Sequence, residues 1–257
     1  MSTLFVDNTT ALLGRSLRHV TRSVDTVITT TIMPIAMLLL FVYVFGGAID
    51  LGSGAGVGSY VDYLLPGILL ITIGSGVAYT AFRLFLDVKG GIVERFRSMP
   101  VARTAVLWAH VLTSLVANAI SLAMVVAVAL LMGFRSSAGP LAWLGVVGIL
   151  AMFTLALTWV AVIAGLLAST PDGASAFSYP IIFLPFVSSA FVPTDSMPGP
   201  VASFAEHQPV TAIVDAIRAL LEGGTVGGDL GVALAWCVGI LVVAYAVATR
   251  LFRRTAA

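Results

Sequence analysis

Three histidines, one cysteine and twelve acids are the groups with which this chain of 257 residues could do acid–base, nucleophilic or metal chemistry. The sequence does not bring them together. His19, His110 and His207 lie far apart, and no pair has a metal-ligand spacing. No acid stands within a turn or two of His110, which reads as a neutral packed or interfacial histidine rather than a relay or a ligand. Cys237 is alone in an apolar run, which excludes an internal disulfide and a cysteine-based metal site. Asp172 in "STPDGAS" has Pro and Gly as neighbours and reads as a tight turn, leaving no acid in mid-membrane of the kind a proton-coupled carrier keeps. The glycine-rich "GSGAGVGS", residues 52–59, has no strand before it and reads as a flexible turn. Lys89 is the only lysine and follows Val88, which excludes a phosphate loop of the Gly-Lys-Ser/Thr type. No cofactor is expected on this chain, and any ATP that drives it must be hydrolysed by another.

The elements that carry these residues belong to a membrane. The chain is 59% hydrophobic and 10% charged, with a mean hydropathy of +1.07, whereas about a quarter of a soluble domain is charged. No basic stripe is present to meet nucleic acid. Uncharged runs at 26–49, 63–82, 104–134, 136–171, 173–194 and 230–249 can each hold the roughly 20 residues that cross a bilayer as a helix. The expectation is an all-α membrane protein, 1–257 forming one domain of six transmembrane helices. Gly139 and Pro140 place the start of the fourth run outside the hydrocarbon. Eleven of the thirteen Lys and Arg, all but Arg135 and Arg218, fall before the first span, in the second connection or at the C-terminus. The positive-inside rule makes those segments cytoplasmic, so both termini are expected on the cytoplasmic side of a multi-pass plasma or inner membrane protein. Arg-rich, Lys-poor usage points to a bacterial inner membrane.

Three segments are not spans. Within 1–25, Leu13, Leu17, Val20 and Val24 share a narrow arc, with Arg15, Arg18 and Arg22 opposite, as in an amphipathic helix lying in the interface. In "DVKGGIVERFRSMPVAR", Gly90 and Gly91 interrupt the arriving helix, and Pro100 ends the short helical stretch after them. Ile92, Val93, Phe96 and Met99 share one side there, Glu94 and Arg97 the other, and Arg95 the flank. This short helix within 83–103 is too charged to insert, and it serves either to hold the loop on the membrane or to dock a soluble partner. The third segment, 195–229, has Pro198, Pro200 and Pro209, then an amphipathic pattern with Asp215, Arg218 and Glu222 spaced for ion pairing and Gly223 as a C-cap. It is either a re-entrant dip or a helix on the outer headgroups.

Two of these stretches carry a family resemblance. "VERFRSMPVARTAVLWAHVLTSL", 93–115, resembles the segment leading into the third span of type-2 ATP-binding-cassette exporter permeases, especially the daunorubicin-exporter-like group. "FVSSAFVPTDSMPGPVASFAEHQPVTAIVDAIRALLEG", 186–223, is similar to a second hallmark of that group. The resemblance implies a permease subunit that pairs with a second permease copy, identical or related, and sits on a separate soluble ATPase. It implies that 1–25 is an elbow helix, that Ile92, Glu94, Arg95, Phe96 and Arg97 form a cytoplasmic coupling helix against the ATPase, and that 196–222 is the outer re-entrant segment. The implied activity is ATP-driven export of a hydrophobic or amphiphilic, drug-like substrate; lipid or polysaccharide export, or a non-transporting membrane anchor, are the alternatives. Tyr179, Phe183, Phe186 and Phe191 suit the lining of an apolar substrate pathway, and such residues equally serve plain packing.

Overall fold

The computed structural model describes residues 24–45, 57–91, 103–224 and 227–255. The N-terminal amphipathic segment up to residue 23 and the expected coupling helix, with Ile92, Glu94, Arg95, Phe96 and Arg97, lie outside the described residues. The described residues are helical throughout, apart from short connections. Helix α1, Val24–Leu40, ends in a π-helical turn, Phe41–Phe45. Then come α2, Val57–Lys89, α3, Arg103–Leu131, and α4, Pro140–Leu167. Short helices come next: α5, Pro171–Ala176, α6, Ser178–Phe183, and two 3-10 turns, Leu184–Val187 and Thr194–Ser196. Helices α7, Gly199–His207, and α8, Pro209–Leu221, lead into the last long helix, α9, Gly228–Thr255.

Among the described residues four helices are long and apolar enough to cross a membrane: Tyr60–Lys89, Val106–Leu131, Pro140–Leu167 and Gly228–Arg253; the first apolar run adds a shorter helix, Thr30–Val44. The run 173–194 is not one continuous helix. Pro171, Pro180 and Pro185 lack the N–H of a regular ladder, and the chain answers with short pieces that end at Ser188 in extended backbone. These pieces pack antiparallel to α2: Ala190 and Phe191 meet α2 at Gly67, whereas Ile181 and Ile182 meet it at Gly74.

Helix ends follow from local sequence. Gly139 caps α4 with Pro140 at the first helical position, and the Thr170 hydroxyl accepts the Gly173 N–H, 3.1 Å, at the start of α5. At the far end of α8, Gly223 has φ +70; its N–H reaches Leu220 O, and that of Gly224 reaches Ala219 O. This is the pair of reversed bonds that lets a left-handed glycine close a helix, as the placement of Gly223 predicts.

In lipid the hydrophobic effect does not drive helices together, so association rests on close approach and on hydrogen bonds. Helix α2 is the central helix, and its glycines make the approaches. A Cβ on Gly67 would sit 2.6 Å from Ala190 Cβ, and one on Gly76 would overlap the Asn118 carboxamide. On α4, a Cβ on Gly165 would come within 2.8 Å of Ala81 O, and Ala161 is fully buried. Gly165, a small residue that could equally face a second subunit, is therefore used within this one, between α4 and α2, and Ala161 is buried one turn away. A polar seam crosses the bundle beside these contacts. The Thr31 hydroxyl donates to Ser121 Oγ at 2.9 Å, and Thr80 to Ser114 Oγ at 2.9 Å. Thr158 lies 3.2 Å from Ser114 Oγ, and Asn118 Nδ2 donates to Ser114 O at 2.9 Å. Four helices thus share polar bonds that lipid cannot compete for.

Candidate functional site

The functional side chains gather at the two ends of the bundle. One end holds the mouths of α2 and α3 on either side of 92–102, and we call it the loop end. The other holds the α3–α4 turn, α7 and α8, and we call it the α8 end.

At the loop end α2 stops where the glycines predict, with Gly90 N–H on Leu86 O at 2.8 Å and Gly91 at φ +72. Asp87, in the last turn of α2, reaches His110 near the start of α3, Oδ2 to Nε2 3.0 Å. His110 is thus partnered after all, by an acid 23 positions away in sequence that the helix hairpin brings alongside. The pair is half-sheltered, 14% exposed at His110 and 31% at Asp87. Beneath it lies an aromatic cluster: Trp159 of α4 packs edge-on against Trp108 of α3, centroids 5.3 Å apart, and against Tyr245 of α9 at 4.8 Å. The loop that leaves α2 and returns at α3 therefore springs from a closed, cross-linked base.

At the α8 end the amphipathic helix carries an ion pair, Arg218 Nη1 to Asp215 Oδ1 at 3.0 Å, as the i,i+3 spacing predicts. Its other contacts are not local. Arg218 Nη2 donates to Ser189 O at 3.0 Å and to Tyr63 O of α2 at 3.2 Å, and the guanidinium lies over the Tyr63 ring, 4.1 Å from its centroid. The Tyr63 hydroxyl donates to Ser189 O at 2.9 Å, and Ser189 Oγ donates to Asp215 at 2.6 Å. Gln208, which caps α8, donates from Nε2 to Leu184 O at 3.3 Å and also to Val187 O. Burial pushes the Asp215 carboxyl above its ordinary range, while the Ser189 hydroxyl and Arg218 oppose the shift. One arginine thus ties α8, the extended turn after Val187 and the head of α2 into a single latch.

Of the predicted pathway aromatics, three come together and one does not. Phe186 and Phe191 stack at 4.9 Å, Phe41 joins Phe191 at 5.0 Å, and Phe183 lies 6.1 Å from Phe186. Phe191 is buried in this cluster, so its role is packing. Tyr179 and Phe183, 62% and 63% exposed, stand one turn apart and present an open aromatic face on α6. Asp87, Phe41, Tyr63 and Ser189 were missed by sequence reasoning. Only Asp87 left a signal, as an acid in the charged stretch that follows the second apolar run.

A bundle whose described residues include four helices of membrane-crossing length, joined by interhelical polar bonds, has the build of a membrane-embedded body. Residues 7–221 match the ABC-2 type transporter family, most of the chain, and the protein belongs to that family. It is 30% identical over 223 residues, 86% of this chain and 77% of the relative, to the daunorubicin resistance ABC transporter permease protein DrrB1 of Streptomyces coeruleorubidus. It is 28% identical over 246 residues, 93% of this chain and 86% of the relative, to a Mycobacterium tuberculosis protein named probable doxorubicin resistance ABC transporter permease protein DrrC.

Proposed function

We propose that this chain is the membrane-embedded subunit of an ATP-driven exporter that moves an amphiphilic, drug-like substrate outward, with ATP hydrolysed on a separate chain. The observation that carries the reading is the similarity over most of the chain to permeases named for daunorubicin and doxorubicin resistance. The rest of the reading concerns arrangement. The broken segment 171–193 is the fifth of six spans; its antiparallel course along α2 supports this, because it must travel from the loop end to the α8 end. The loop end is cytoplasmic, as the arginine count implies. The soluble ATPase docks there on Ile92, Glu94, Arg95, Phe96 and Arg97. Asp87 and His110 support this assignment, since a push on the intervening loop reaches α2 and α3 together only if its two roots are joined. Two permease copies, identical or related, face each other across the open aromatic face of Tyr179 and Phe183, where the substrate passes.

The decisive experiment replaces Glu94 and Arg97 by residues of opposite charge in cells that also carry the ATPase. The expected result is an inserted, abundant permease that no longer assembles with the ATPase or stimulates its hydrolysis. Normal export by that variant would leave the loop as an interfacial anchor. Orientation is tested separately: cysteines at Ser53 and Ser203 should react with an impermeant thiol reagent in intact cells, and one at Ser98 should not.

A further inference from the structure

Helices α3 and α4 close on each other less tightly toward the α8 end, and the gap between them is a pocket of about 280 Å³. Its floor is made by Leu65 and Leu69 of α2, both buried. Its lips are small and exposed: Ala119 and Ala123 on α3, Ala151 on α4. Trp143 stands at its α8-end limit and Thr154 at the deep one. From Trp143 to Thr154 along α4 is about 16 Å at 1.5 Å per residue, close to the ~15 Å depth of one leaflet's hydrocarbon. The pocket therefore runs along the membrane normal through a single leaflet and opens sideways.

The pocket offers few polar partners inside. The Thr154 hydroxyl donates its proton to Leu150 O at 2.7 Å, leaving only its oxygen to accept, and apart from the Trp143 indole the remaining lining is apolar. An amphiphile with several hydroxyl or amino groups at that depth would leave most of its donors unpaired at a cost of several kcal/mol. Charges stand only at the rim. Trp143 packs edge-on against Phe134, centroids 6.4 Å apart, and the next residue is Arg135. Arg135 gives Nη1 to Leu130 O and Phe134 O, at 3.1 and 2.7 Å, and is exposed. Asp62, one turn before the floor residue Leu65, holds the Arg135 backbone N–H on Oδ1 at 3.3 Å. Arg135 and Asp62 thus stand together beside the Trp143 end of an apolar slot about one leaflet deep.

We infer that this pocket binds a phospholipid with a zwitterionic, hydrogen-bonding headgroup: an acyl chain between α3 and α4, the phosphate on Arg135 and a primary ammonium toward Asp62. Phosphatidylethanolamine has that chemistry. Phosphatidylcholine lacks the N–H donors, and phosphatidylglycerol brings a net negative charge toward Asp62. The site asks nothing of ATP or of the exported substrate, so it stands or falls apart from the export reading.

The test is fluorescence quenching of the full chain reconstituted in vesicles that contain phosphatidylethanolamine, phosphatidylcholine or phosphatidylglycerol with brominated acyl chains. The Trp143 contribution is isolated as the difference between the native protein and Trp143→Phe. Brominated phosphatidylethanolamine should quench Trp143 well beyond its mole fraction, and beyond the other two lipids. The double change Ala119→Phe and Ala123→Phe fills the mouth from α3 and should abolish that excess. Ala151→Phe fills it from α4 and should do the same; all three positions are exposed, so the core is untouched. Arg135→Gln should lower the preference about fivefold, the weight of one cation at a charged membrane surface. Quenching that simply tracks bulk lipid composition, or that survives both mouth-filling variants, overturns the site. Displacement of the lipid by a soluble amphiphilic drug at the same position would assign the pocket to substrate and equally overturn it.

Discussion

The two ends of the bundle hold their helices together by opposite means. At the α8 end, Arg218 is 16% exposed and gives hydrogen bonds to Asp215, Ser189 and Tyr63, two of them to backbone carbonyls on different segments. At the loop end, Asp87 and His110, no more exposed than that pair at 31% and 14%, join α2 to α3 beside an aromatic cluster. A sheltered charge is costly to strip of its partners; Nη1 and Nη2 of Arg218 hold three acceptors while its Nε has none, so the α8 end is a latch that opens at considerable cost. The Asp87–His110 pair spans two helices, α2 and α3, whereas Arg218 spans α8, the turn at Ser189 and α2, so the loop end is tied across fewer segments. Under the proposed docking of an ATPase at the loop end, the push arrives where fewer segments are tied.

That contrast breaks most directly at Arg218. Replacing it by Met leaves Asp215 with only the Ser189 hydroxyl and takes the guanidinium from the Ser189 and Tyr63 carbonyls, and should cost about 2–3 kcal/mol, below the 3–5 of a fully buried pair because Asp215 is partly exposed. Thermal unfolding in detergent reads this, and an unchanged midpoint would mean that water replaces the guanidinium and there is no latch. Next comes the close approach that seats the latch's extended turn. Gly67→Ala drives a methyl into Ala190 and should cost about 1–2 kcal/mol, whereas Gly148→Ala, with nothing within 4 Å, should cost nothing measurable. Equal effects at the two glycines would show helix propensity rather than packing at work.

Between the ends, Ser114→Ala removes the hub of the polar seam and should lose about 0.6–1.7 kcal/mol, the range of interhelical hydrogen bonds in lipid. The smallest expected change sharpens the comparison at the loop end. Asp87→Asn and His110→Gln should each shift stability by at most about 1 kcal/mol, and the double change should add little. Export per ATP hydrolysed should fall in both single variants. If stability falls as far as with Arg218→Met, the loop end is a second latch, and the asymmetry is lost.

Most of the architecture was legible in composition and punctuation. The apolar runs mark the long helices, Gly90, Gly91 and Gly223 mark two of their ends, and the spacing of Asp215 and Arg218 marks their pair, because each of these signals is local. The run 173–194 was harder: its hydropathy reads as one span, yet Pro180 and Pro185 within it break the ladder, and a window over composition averages that away.

The sequence by itself determined that this is a helical membrane protein, which stretches are apolar, where most helices stop and which ions pair within one helix. Those are matters of covalent sequence and of one- to four-residue neighbours. Only the tertiary structure decided that His110 has an acid, that Arg218 reaches past Asp215 to Tyr63 and Ser189, that Gly165 serves α2 rather than a second subunit, and that α3 and α4 part to leave a pocket. Each of these joins positions from 23 to 155 residues apart, and in a bilayer, where apolar surface matches lipid as well as protein, no hydropathy pattern says which helix face meets which; close approach at glycines and the pairing of buried polar groups settle it.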